Sequence, residues 1–265
     1  MTTTMLGLVN ASLLSPVELA ALMGGVAALL TSLGGVLVLF LGPRRIGTDL
    51  LIDLGLGFSS GVMIVASFTS LLLPAIERSG PVLPVAGLVV GATSIHLLND
   101  LVPHEHLVKG YEGPSELRNK LRTAWLVAMA IIIHNIPEGI AIGATSAYSP
   151  ELAVATGLAI GIQDIPEGLA VALPVYASTG RRLPAVGLAV LSGVSELLVA
   201  VPSAVLAGLS SLVLPFAMGF GAGAMVYVVS HESIPETHRS GHEDKATLAF
   251  FAGFILMLLL DTMLG

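Results

Sequence analysis

Cysteine is absent from the 265 residues, which excludes disulfides, thiolate metal sites and thiol catalysis. Charge is scarce: Asp, Glu, Lys and Arg together make 11% of the chain, against about 25% in soluble domains. Basic residues are the scarcer sign, 11 against 18 acidic, and a net charge of −7 leaves no basic face for nucleic acid. Aromatic residues make only 5%. What is abundant is apolar and small. Hydrophobic residues make 54%, glycine occurs 30 times, and the mean hydropathy is +0.91. That balance all but excludes a soluble fold. Small residues at this density suit helices packed closely in lipid.

About 20 apolar residues carry a helix across the hydrocarbon core. Eight runs qualify: Val17–Leu41, Leu51–Leu73, Val85–Val102, Thr123–Ser146, Leu152–Ala177, Leu183–Leu206, Ser211–Ser230 and Ala246–Leu264. The expected fold is an all-α integral membrane protein with eight transmembrane helices. Residues 1–265 read as one transmembrane domain, because the joints are short. The first ten residues hold no Lys or Arg and so lack the basic start of a signal peptide. Charge placement checks the span count. The odd-numbered connections hold 10 of the 11 basic residues: Arg44, Arg45, Lys109, Arg118, Lys120, Arg122, Arg181, Arg182, Arg239 and Lys245. Only Arg78 falls elsewhere. The positive-inside rule then puts both termini on the extracytoplasmic side. The longest connection, about 103–122, is a cytoplasmic loop. Its His104 and His106 either contact metal or belong to a solvated polar loop.

An ionised group at the bilayer centre costs at least about 2.5–3.5 kcal/mol, so each intramembrane carboxylate needs a reason. The fourth span carries His134-Asn135-Ile136-Pro137-Glu138-Gly139. The fifth carries Gln163-Asp164-Ile165-Pro166-Glu167-Gly168, the same pattern 29 residues on. The sixth span adds Glu196. Asp53 falls near the cytoplasmic end of the second, which leaves Glu138, Asp164, Glu167 and Glu196 as the deep acids. At about 100° per residue, Glu138 lies on the helix face between His134 and Asn135. Glu167 likewise lies between Gln163 and Asp164. If those faces meet, each Glu can bridge two adjacent sites, with His134 and Gln163 at one and Asn135 and Asp164 at the other. Four carboxylates balance two divalent cations. The ligands must be deprotonated, so metal binding should release protons and acid should weaken it. Imidazole, amide and carboxylate suit Zn²⁺ and admit Cd²⁺, Mn²⁺ or Fe²⁺.

Pro137 and Pro166 free the carbonyls of Ile133 and Ile162 and are expected to break the two helices at mid-membrane, a common way to build transporter sites. Gly139 with Gly143, and Gly157 with Gly161, have the spacing of close helix contact. Met63 offers a thioether or simply packs in the core. His231 and Glu232 end the seventh span as an exit site or a solvated helix end. His96, Asn99 and Asp100 approach the same side as a relay or as interface residues.

The paired motifs, with Gly57-Phe58-Ser59-Ser60-Gly61-Val62-Met63 and His231-Glu232-Ser233-Ile234-Pro235-Glu236, resemble the ZIP (Zrt/Irt-like) family of metal transporters, nearest its bacterial GufA-type branch. The resemblance covers essentially the whole chain. It implies zinc uptake toward the cytoplasm, a plasma (inner) membrane location, and a two-metal centre between the fourth and fifth helices. One site would use Met63, His134, Glu138, Gln163 and Glu167. The other would use Asn135, Glu138, Asp164, Glu167 and Glu196. It further implies elevator-like movement of the first, fourth, fifth and sixth helices against the rest, often in a homodimer.

Competing readings differ in class. A selective metal channel would share the site without a saturable carrier cycle. An intramembrane metal hydrolase would need an open metal position and an activated water; the chain lacks His-Glu-x-x-His spacing, so this is not an expected enzyme. A sensor would bind metal and move none.

Overall fold

The computed structural model describes residues 13–40, 48–106, 110–112, 123–238 and 240–264. The first ten residues, most of the 103–122 connection, and Arg44, Arg45, Lys109, Arg118, Lys120, Arg122 and Arg239 lie outside them. The described chain is helical apart from one small ribbon. In order come α1 (Pro16–Val36), α2 (Thr48–Ala66), α3 (Leu73–Ser79), α4 (Val82–Leu101), β1 (His104–His106), β2 (Gly110–Glu112), α5 (Thr123–Tyr148), α6 (Pro150–Thr179), α7 (Arg182–Ala207), α8 (Val213–Val228), α9 (Ile234–Thr237) and α10 (Glu243–Leu264). Seven helical runs among the described residues are long and apolar enough to cross a membrane. α5, 26 residues long, is the remaining long helix.

Local chemistry sets the ends. Ser15 and Glu18 cap α1 reciprocally, with Pro16 as its first residue. Ser149 caps α6 by accepting from the Leu152 N–H at 3.1 Å, and Gly180 closes it at φ 67°. Within the helices, hydroxyls return to the carbonyl one turn back, as Ser32 to Ala28 at 2.6 Å and Ser67 to Met63 at 2.7 Å.

Two helices widen into π-helical turns, at Ser67–Leu72 between α2 and α3 and at Val229–Ser233 between α8 and α9. The Leu73 N–H bonds the Phe68 carbonyl, and the Ile234 N–H bonds Val229, each five residues back. Pro74 and Pro235 follow directly. A proline cannot bond the carbonyl four residues before it, so the turn ahead of each is free to widen.

His104 and His106 fall in the connection expected to be a cytoplasmic loop. Their backbone forms β1, which pairs antiparallel with β2 in the register His104 to Glu112 and His106 to Gly110. β1 lies against α5. The pairing satisfies backbone groups of the two strands locally.

The long helices pack as one set of four and two pairs, joined where α2 meets α6 and α5 meets α8. α1, α5, α6 and α7 contact one another extensively. α2 packs on α10, and α4 on α8. Within a set, backbones approach closely at glycines. The position of a Gly168 Cβ is filled by the Thr31 carbonyl of α1, and that of a Gly143 Cβ by the Ala200 carbonyl of α7. Gly61 of α2 meets the Phe250 carbonyl of α10 in the same way. Gly139 and Gly143 therefore seat α7, while Gly157 and Gly161 seat α1 through Met23, Ala27 and Leu30. Neither pair joins α5 to α6. Gly168→Ala should lower the melting temperature in detergent, since overpacking costs about 1–3 kcal/mol. Gly25→Ala, which faces open space on α1, should leave it unchanged or higher.

Candidate metal centre

α5 and α6 do not break at the motif prolines. Both run through Pro137 and Pro166 as continuous helices. Each ring removes one intrahelical bond, yet packing on neighbouring helices holds the turn. Pro166 sits against Gly55 of α2, where a Cβ would lie 2.6 Å from the ring. Helical continuity keeps the phase of the motif residues, so each motif presents its polar side chains on one face.

Two clusters of ligand-bearing groups lie where those faces meet. In one, His134, Glu138 and Glu167 bring ligand atoms within 4.8 Å of one another. In the other, Glu138, Asp164 and Glu196 do the same. Glu138 belongs to both clusters. Glu138, Gln163, Asp164 and Glu196 are 1% exposed or less. His134 keeps 17% of its side chain exposed and so is the open end of the cluster.

The hydrogen bonds show how these groups are held. The Gln163 amide Nε2 donates to Glu138 Oε1. Ser59 of α2 donates to Glu167 Oε1. Thr31 of α1 donates to Asp164 Oδ2 at 3.3 Å. Several acceptors remain without a partner among the described residues: Gln163 Oε1, Asp164 Oδ1 and both oxygens of Glu196. Buried acceptors are normally satisfied, and buried charges are normally paired or bound to metal. Four buried acids beside one imidazole leave an excess of oxygen ligands that a divalent cation would satisfy.

The other sequence candidates fall in different places. Asn135 turns its amide toward α7, donating to the Ser192 carbonyl at 2.6 Å and to the Ser192 and Ser195 hydroxyls at 2.9 and 3.3 Å. Met63 is fully buried on α2, one helical turn beyond Ser59 and on the same face. Glu232 is no solvated helix end. It is 4% exposed, with Oε2 3.7 Å from His134 Nδ1 and Oε1 receiving the Asn99 amide at 2.8 Å. His231 points elsewhere and stacks on Tyr227, ring centroids 5.0 Å apart. His96 meets the Tyr227 hydroxyl at 3.0 Å and Asp100 at 3.7 Å, with both His96 and Asp100 exposed. Asp53 is 2% exposed, covered by the segment before α10, where it takes His242 Nδ1 at 2.9 Å and Ser240 at 3.4 Å. The side chains of His104 and His106 lie outside the described residues.

Ser59, Thr31 and Ser192 had no place among the sequence candidates. A hydroxyl in an apolar helix looks like any other back-bonded Ser or Thr. Only Ser59 carried a signal, as part of the Gly57–Met63 motif.

A multi-pass helical bundle that buries such a cluster at a helix interface is an integral membrane protein equipped to hold divalent cations. The comparisons with known proteins agree with that class. Residues 99–261 match the family described as ZIP Zinc transporter. The chain is 43% identical over 258 residues to Zinc transporter ZIPB of Bordetella bronchiseptica, covering 92% of this chain and 81% of that one. It is 38% identical to Zinc transporter GufA of Myxococcus xanthus, covering 74% and 80%. It is 31% identical to Zinc transporter ZupT of Corynebacterium aurimucosum, covering 87% and 91%. The chain belongs to the ZIP zinc transporter family. That family consists of transporters, so the hydrolase reading falls away.

Proposed function

We propose that this chain carries zinc into the cytoplasm across the plasma (inner) membrane through a two-metal centre bridged by Glu138. The observation that carries the reading is the sharing of Glu138 between the two ligand clusters. One position would use His134, Glu138, Gln163 and Glu167, with Met63 one turn from Ser59 on the facing helix. The other would use Asn135, Glu138, Asp164 and Glu196, with Glu167 at its edge. Cd²⁺, Mn²⁺ and Fe²⁺ fit the same donors less selectively.

In this reading residues 1–265 form one domain with eight spans, α5 being the eighth, and both termini extracytoplasmic. Transport proceeds by an elevator-type movement, in a monomer or homodimer. The packing of the helices supports it. The backbone-tight glycine contacts fall inside the α1–α5–α6–α7 set or inside the α2–α10 and α4–α8 pairs. Between sets, Gly55 meets the Pro166 ring and Gly221 meets the Ile140 side chain. Side-chain contacts can slide, whereas interlocked backbones cannot.

The test is zinc and cadmium influx into proteoliposomes of the wild type and of Glu138→Ala. Saturable influx lost in the variant is the expected result. Linear, non-saturating influx would favour the channel. Binding without influx would make the protein a sensor.

A further inference from the structure

In the eight-span reading, Arg78 is the one basic residue outside the odd-numbered connections. The usual charge bias disfavours it there, and the metal centre does not use it. It lies near the end of α3, and its guanidinium carbon sits over the Tyr148 ring, 5.6 Å from the centroid. That is within the reach of a cation–π contact. Tyr148 is the last residue of α5, directly before the Ser149 cap of α6. It therefore marks the tip of the α5–α6 hairpin. α3 packs on α4 and α8. The contact joins the α1–α5–α6–α7 set to the α4–α8 pair, at the end of the bundle away from the start of α5.

That end is also the closed one. Beyond Glu138 toward the hairpin tip, Ala141, Ile142 and Thr145 of α5 are fully buried, as are Thr156, Ala159 and Ile160 of α6. The open end of the metal cluster is His134, one turn nearer the start of α5. The cluster is thus shut off from the side on which Arg78 meets Tyr148.

We propose that Arg78 and Tyr148 form a latch that holds the extracytoplasmic side shut. The proposal rests on the elevator-type reading and adds to it two residues that touch no metal. In that movement the hairpin tip travels past α3. A cation–π attraction needs the cation within about 6 Å of the ring centre, so opening outward breaks it. The pair thereby weights the balance toward the form open to the cytoplasm. Arginine stays charged at any physiological pH, so acid does not release the latch. A second such pair, Arg182 over Tyr176 at 5.6 Å, joins α7 to α6 inside the moving set. It has no reason to break and serves as the comparison.

The test exploits the absence of cysteine, since a single introduced one reports alone. Thr156→Cys is close in size, and the Thr156 hydroxyl makes no hydrogen bond among the described residues. Seven residues from Gln163, it shares the helix face of the centre. In cells producing the full-length protein, a membrane-impermeant maleimide added outside reads how often that side opens, and zinc influx is followed in the same cells. Arg78→Gln should speed labelling about two- to fivefold, as for an exposed cation–π pair. Tyr148→Leu should do the same, and the double variant no more than either single change. The apparent KM for zinc should fall by that factor, because more of the protein is ready to load from outside. Arg182→Gln should change neither quantity.

Unchanged labelling in Arg78→Gln and Tyr148→Leu, or additive effects in the double variant, would overturn the latch. A lower KM in Arg78→Gln with unchanged labelling would overturn it in favour of a charge that repels cations at the mouth. If Tyr148→Leu fails to fold, Arg78→Lys takes its place. It keeps the charge and gives up the flat stacking face, so faster labelling supports the latch and an unchanged rate overturns it. A cysteine never labelled in any variant, with zinc influx intact, would remove the moving-set reading and the latch with it. A protein that moves no zinc would remove the transport reading, while the labelling rates would still decide the latch.

Discussion

If the centre holds two zinc ions as proposed, Glu138→Ala should abolish binding at both positions, while Asn135→Ala should keep the ion nearest His134. Glu138 is common to both ligand clusters, so its removal leaves each with two of its three groups. Asn135 turns its amide toward Ser192 and Ser195 of α7, and the proposed ligand sets give it to one position only. Equilibrium dialysis with zinc counts the ions directly. Thermal melting gives an independent reading, because a ligand at 100 times its Kd stabilises the folded state by about 2.7 kcal/mol. That zinc-dependent rise should vanish in Glu138→Ala and persist in part in Asn135→Ala. Without zinc the Glu138 variant should lose only about 1–3 kcal/mol, since the Gln163 amide is left without its acceptor. Equal losses in both variants would sink the bridging arrangement.

Asp164→Asn should separate binding from folding with effects of opposite sign. The change keeps size and removes one charge. Thr31 can still donate to the retained carbonyl oxygen. The new NH₂ faces a neighbourhood of acceptors, with both oxygens of Glu196 unpartnered. Metal-free protein should therefore melt at the same temperature or higher. Zinc affinity should fall at least tenfold, because an amide is a poorer ligand than a carboxylate and the cluster has lost a charge. The preference between zinc and cadmium should move with it. Melting curves with and without zinc settle the point. A collapse of the metal-free protein would mean that Asp164 serves the fold and not the ion.

The two predictions depend on different kinds of information. The duplicated motif could be read from the chain directly. A Pro-Glu-Gly repeated after two polar residues stands out in apolar helices because intramembrane charge is costly. Helix phase then put Glu138 on the same face as His134 and Asn135, since 3.6-residue periodicity is a local property. The hydropathy runs of the seven candidate membrane helices were legible for the same reason, to within a few residues at most ends.

What could not be read depends on contacts between distant segments. Glu232 looked like a helix end because it is followed by a proline and lies near the close of an apolar run. Only the packing of α8 against α4 and α5 buries it beside His134 and under Asn99. The glycine pairs on α5 and α6 advertised close contact without naming the partner, and the partners are α7 and α1. The motif prolines looked like breaks, because a lone helix cannot make good the lost bond. Neighbouring helices keep α5 and α6 continuous through them. Sequence by itself determined which residues are too polar for lipid and which of them share a helix face. Tertiary structure alone decided which helices those faces meet, because partner choice is set by close packing across the bundle and not by the periodicity of any one strand of sequence.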